Sequence, residues 1–134
     1  MKQVSIGSAC KFQPRQIVCL EHGNTRLYAE VIEVVASRQV CWVRPVILAL
    51  PAADYNPQWE VSPEQLTLYD LRQGADLLWP ASLFRVALDT EVIPLLMQLD
   101  DPDFNRENNP DAHKQLSCFV SEVWQTYKSA FSAS

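Results

Sequence analysis

The chain has 134 residues but only three glycines and two histidines. A phosphate-cradling loop needs several glycines so that backbone N–H groups can close on the anion, and this sequence cannot build one. His22 falls in a predicted turn and His113 on a predicted helix, both read as solvated, with nothing in the flanking residues to tune an acid, a base or a nucleophile. No CxxC pair and no cysteine next to histidine occurs. Cys10, Cys19, Cys41 and Cys118 are widely spaced in or beside apolar runs, as buried thiols in a reducing compartment would be. No metal, no cofactor and no catalytic residue is assigned.

Long apolar runs are missing as well. None approaches the roughly 20 residues that cross a bilayer, and Val46–Leu50 is stopped by Pro51. The opening MKQVSIGSACKF lacks a signal-peptide core, so a cytoplasmic protein is expected. The net charge of -5 is unevenly spread: residues 1–50 carry six Lys or Arg against three Asp or Glu, and residues 51–134 carry five against thirteen. An acidic whole argues against nucleic acid, whose phosphates demand clustered cations. Arginines in the first half fit an acidic protein partner.

What the sequence does have is a long β-branched stretch, Arg26–Leu50, broken at Ser37-Arg38-Gln39 into two halves that can pair as a hairpin. Gln16–Glu21 reads as a strand before it, with the turn at His22-Gly23-Asn24. Leu27, Ala29 and Val31 alternate with Tyr28, Glu30 and Ile32, then drift to apolar on both sides, which suits a long, bent strand shared between two faces of a barrel. In the returning half Val40, Trp42 and Arg44 oppose Cys41 and Val43. Pro51–Pro63 reads as an irregular loop carrying Tyr55 and Trp59, and Leu66–Leu71 and Asp76–Trp79 read as two further strands. Pro80–Phe84 resembles the short helical turn that closes SH3-like barrels.

The period changes in the last third. Asp89 or Thr90 is read as the cap of a helix that is apolar on most sides through Leu99 and is therefore expected to be well buried. Asp100–Asp111 reads as an acidic loop without the glycine and glutamate of a calcium loop. Asn109-Pro110 reads as the start of the last helix, whose Leu116, Phe119, Val120, Val123, Trp124, Tyr127 and Phe131 form one apolar stripe.

The expectation is a single α+β domain over 1–134: a small antiparallel SH3-like or OB-like partly open barrel of five strands over about 14–80, followed by two C-terminal helices over 89–131. With no catalytic constellation, a non-enzymatic protein-binding module is the expected function. Its candidate partner-binding residues are Arg38, Trp42, Arg44, Trp59, Arg72 and Trp79, arginines at strand ends or turns with aromatic anchors between them. The alternative is a small ligand-binding or catalytic domain with a pocket between barrel and helices.

Around Leu78-Trp79-Pro80, Leu83-Phe84 and Asp89-Thr90-Glu91, the run Leu68–Leu96 resembles small soluble cyanobacterial proteins. With its size and proposed barrel, the chain weakly resembles accessory subunits of the photosynthetic NADH-dehydrogenase-like complex, of the NdhS and NdhV type. That resemblance implies a peripheral subunit that helps an acidic electron donor to dock.

Overall fold

The computed structural model describes residues 12–51 and 66–132. Six strands, β1 (Ile17–His22), β2 (Thr25–Val35), β3 (Val40–Pro51), β4 (Leu66–Asp70), β5 (Leu77–Pro80) and β6 (Arg85–Val86), precede helices α1 (Asp89–Leu99), α2 (Pro102–Thr126) and the short α3 (Lys128–Ser132). All pairings are antiparallel in the order β4-β3-β2-β1-β6, with β5 joined to the same edge of β3 as β4. The sheet does not close, and the result is an α+β partly open barrel with two principal C-terminal helices.

Gly23, at φ +61, makes the β1–β2 turn that the His22-Gly23-Asn24 run predicts. The 3-10 turn Ala81–Leu83 stands after β5, where a barrel-closing turn is expected. It leads into β6, a sixth strand that the sequence reading does not contain. Two residues show no period, and β6 exists only because Val18 and Cys19 offer an edge to Val86 and Arg85.

The long hairpin owes its bend to two bulges. Register slips between Tyr28 and Ala29, where β3 spends an extra residue at Val46, and between Val31 and Glu33, where β2 spends one at Ile32. Each slip reverses which side chains face inward, since side chains alternate with period two. Cys41 and Val43 thus share the inner cluster with Leu48 rather than with Ile47 or Ala49.

The sheet is consequently buried on both faces. Val18, Leu20, Leu27, Ala29, Val31, Cys41, Val43 and Leu48 form the inner cluster with Ala112, Phe119 and Val123 of α2. Cys19, Tyr28, Ile47, Ala49 and Leu68 form an outer cluster with Val92, Leu95 and Leu99 of α1. The last helix thus packs on its own barrel.

Both helix starts differ from the sequence reading. Leu88, not Asp89 or Thr90, occupies the N-cap position of α1. Leucine has no oxygen to offer, so only the returning half of a capping box forms: the Leu88 N–H donates to Glu91 Oε1 at 3.0 Å. The earlier start leaves Pro94 deeper in the helix than its free first turn. Nor is α1 wholly buried, since Ile93 and Met97 are 51% and 71% exposed. The last helix begins at Pro102, so the expected acidic loop is mostly helix and Asn109-Pro110 lies inside it. Proline at the first helical position is favoured, and two prolines competed for that role.

Glu91 ties α1 to the sheet. Its Oε2 accepts from Tyr28 Oη at 2.7 Å, and its two oxygens accept from Arg85 Nη1 and Nη2 at 2.8 and 3.0 Å. Arg85 Nε also donates to Glu21 Oε1 at 2.8 Å. The bidentate Arg85 guanidinium holds the Glu91 carboxyl at about 2, against its ordinary 4.5, despite partial burial that pushes the other way. A depressed carboxyl stabilises the fold fully above its unfolded value and loses that contribution as pH falls.

Two outcomes follow. Phe119→Ala should cost about 3–5 kcal/mol in urea unfolding, because a buried ring leaves a cavity; an unchanged midpoint would mean that α2 does not rest on this barrel. Glu91→Gln should cost about 2 kcal/mol at neutral pH. It should also flatten the loss of melting temperature that the unaltered protein shows as pH falls from about 4.5 towards 2.

Candidate functional site

Beyond the bulges the outer face of the hairpin leaves the cover of α1. Here β3 lies between β2 and β5, with Trp42 opposite Glu33 on one side and Leu78 on the other. Outward alternation leaves Trp42 40% and Leu78 59% exposed, while their neighbours Cys41 and Val43 are fully buried. Arg44, two residues along the same face, lies opposite Glu30.

Asp76, just before β5, joins the two candidate residues of β3. Its Oδ2 accepts from the Trp42 indole Nε1–H at 2.9 Å, and its Oδ1 accepts from Arg44 Nε at 3.1 Å. The Arg44 hydrogen bond, with that of Trp42 second, holds the Asp76 carboxyl below its usual range. The indole is thereby fixed by its polar edge while its ring faces water. An exposed ion pair adds little to stability, but a positioned aromatic ring has less freedom to lose on binding.

The other candidates separate. Arg38 is exposed in the 3-10 turn Ala36–Arg38 at the tip of the same hairpin. Arg72 lies elsewhere, in the turn after β4, where it donates to Asp70 Oδ1 and Oδ2 and to Asp100 Oδ1 at 3.0, 2.9 and 2.9 Å. Trp79 belongs to the core: it is 7% exposed and meets Phe131 edge-on at 5.4 Å. Strand alternation turns it inward, opposite to Leu78, so it offers no surface anchor. Trp59, like Tyr55 and Cys10, lies outside the described residues. The structure therefore brings together Trp42 and Arg44 with Arg38 on the same hairpin, and adds Leu78 and Asp76, which the sequence reading did not select. Alternation in Asp76–Trp79 did carry the signal, since a buried Trp79 requires an outward Leu78.

A cleft of about 630 Å³ opens on another side, between α2 and the turn joining β4 to β5. Leu71, Leu77, Ala112, Leu116 and Val120 give it an apolar floor, and His113, Ser117 and Ser121 stand along the helix side. The cleft lies between barrel and helix, where the alternative reading would need a pocket.

Burial pushes the Cys19 thiol up to about 12, so it is held protonated beside Arg85 and Glu91. Cys19 and Cys41 are buried free thiols and Cys118 an exposed one. Among the described residues no three His, Cys, Asp or Glu side chains are grouped as metal ligands, and no helix is long and apolar enough to cross a membrane.

In comparisons with protein-family models, curated proteins and solved structures, the chain matches none.

Asp76→Asn should move the Trp42 indole Nε1–H resonance in a proton–nitrogen spectrum and leave the melting temperature unchanged, because the contact is exposed. A resonance that stays in place would show that Asp76 does not hold the ring in solution.

Proposed function

We propose that the protein is a non-enzymatic binding module, an accessory subunit that docks on a protein partner through the outer face of β3 and β5. One observation carries the reading: Trp42 and Leu78, exposed cross-strand partners, form an apolar centre beside the charged pair Arg44–Asp76. Interfaces concentrate their energy in such a centre, where a large ring is desolvated inside a polar rim. Fixing of the indole by Asp76 lowers the entropy lost on docking.

The rim says how an acidic partner would be read. Arg44 is already matched by Asp76, and Arg72 by Asp70 and Asp100. Among the described residues Arg38 has no such carboxylate, so a negative charge on the partner falls to Arg38 in this reading. Attraction of that kind governs the rate and orientation of docking more than its strength. The resemblance to accessory subunits of the photosynthetic NADH-dehydrogenase-like complex supplies the candidate assembly.

The test is affinity capture from a photosynthetic lysate with quantification of the retained subunits. The double variant Trp42→Ala, Leu78→Ala should weaken capture of one defined set by about 30-fold or more, the scale of hot-spot loss, at an unchanged melting temperature. Arg38→Glu should weaken the same capture less, and mainly at low salt. Equal retention by the double variant and the unaltered protein would overturn the reading.

A further inference from the structure

We infer that the cleft between α2 and the β4–β5 turn is a binding site for an uncharged, largely apolar small molecule that carries a hydroxyl or carbonyl group along one edge. The inference is independent of the docking face, which uses the outer side of β3 and β5.

Size comes first. At about 630 Å³ the cleft falls within the roughly 300–1,000 Å³ typical of small-molecule sites. Its two walls come from different elements, and each is held in place. On the barrel side the Gly74 N–H donates to the Leu71 carbonyl at 3.0 Å, and Arg72 clamps Asp70 through both carboxylate oxygens. Gly74 suits this turn because a Cβ there would stand 3.3 Å from the Leu71 oxygen. On the helix side α2 is anchored by Phe119 and Val123 in the inner cluster. The space between them belongs to the folded framework.

The lining then sets the chemistry. Two adjacent rows of α2 border the cleft at a spacing of four residues: Ala112, Leu116 and Val120 in one, His113, Ser117 and Ser121 in the other. Leu77, Leu116 and Val120 are only partly buried, so apolar surface stays wet until something covers it. Ser117 and Ser121 are exposed on the rim, and among the described residues neither side chain has a hydrogen-bond partner. They can donate to or accept from an oxygen at the edge of a ligand.

Charge decides the remaining question. Among the described residues the lining contains no Lys or Arg, and its one carboxylate, Asp70, already accepts from Arg72 at both oxygens. An anionic head would find only the exposed imidazole of His113, and a cationic one only a carboxylate that is already matched. Neither charge would find a fixed, unmatched counter-charge to offset its desolvation, so a neutral ligand is selected.

Three probes that share one aromatic frame test this on the full chain: neutral N-phenyl-1-naphthylamine, a sulfonated analogue and a trimethylammonium analogue. The neutral probe should bind saturably, one per chain, with both charged analogues weaker by about tenfold or more. Amide shifts on binding should concentrate in 71–77 and 112–121. Ser117→Trp, which fills the rim from an exposed position, should abolish binding at an unchanged melting temperature. Trp42→Ala should leave binding intact, which separates this site from the docking face. Absence of saturable binding, equal binding of all three probes, or shifts that map elsewhere would overturn the inference. The shift map needs no variant, so it decides the matter even if Ser117→Trp fails to fold.

Discussion

The structure depends on a sheet that must be covered on both faces. Phase reversal at Val46 and Ile32 lets β2 and β3 send aliphatic side chains to two clusters at once, so neither face of the β1–β4 region can be left in water. One helix is needed for each. Phe119 and Val123 cover the inner face from α2, and Val92, Leu95 and Leu99 cover the outer one from α1. Each large side chain transferred in this way contributes about 1.5–3 kcal/mol, so the helices are integral to the fold. At the edge of the outer cluster, polar groups meet in the Glu91–Arg85–Tyr28 contact, which sets where α1 lies along the sheet.

This two-sided burial also explains what stays uncovered. Helix α1 reaches over Ile47, Ala49 and Leu68, on the β4 side of the Val46 bulge. On the β5 side the same outer face carries Trp42, Arg44 and Leu78, and among the described residues no helix lies above them. A strand shared between two covers ends up with one stretch that lacks a cover, and there the sequence places a tryptophan instead of a lysine or glutamate. Local polarity is retained through Asp76, which satisfies the indole N–H and the guanidinium together.

How much of this the sequence disclosed varies with the range of the interaction responsible. Strand periods, the turn at Gly23 and the short helical turn at Ala81–Leu83 arise from local chemistry, and all were readable. That Trp42 and Arg44 share one side, opposite Cys41 and Val43, followed from alternation; that this side is exposed did not, since Val40 lies on it and is buried. Features fixed by tertiary contact were not readable: β6 needs the edge of β1, and the start of α1 needs Glu91 to reach back to Leu88. Two prolines offered helix starts at Pro102 and Pro110, and the Asn109 cap signal favoured the wrong one. Arginine was the least legible residue type. Arg44, Arg72 and Arg85 look alike as surface cations in sequence, yet each is matched by a carboxylate at least six positions away or by one across a turn. Ion pairs of this sort have no sequence period to reveal them.

The turn between β4 and β5 has the most to do with how the two candidate sites are held. It is pinned at three points: Arg72 to Asp70 and Asp100, Gly74 to Leu71, and Asp76 to Arg44 and Trp42. Its Gln73, Gly74 and Ala75 line the cleft against α2, while Asp76, the next residue, orients the indole on the outer face of the sheet. Both sites therefore take their geometry from one short segment without sharing a side chain that would contact either bound molecule. Charged hydrogen bonds stand at both ends of that segment, so in the two readings proposed above each site would present a shape and charge set largely before an occupant arrives.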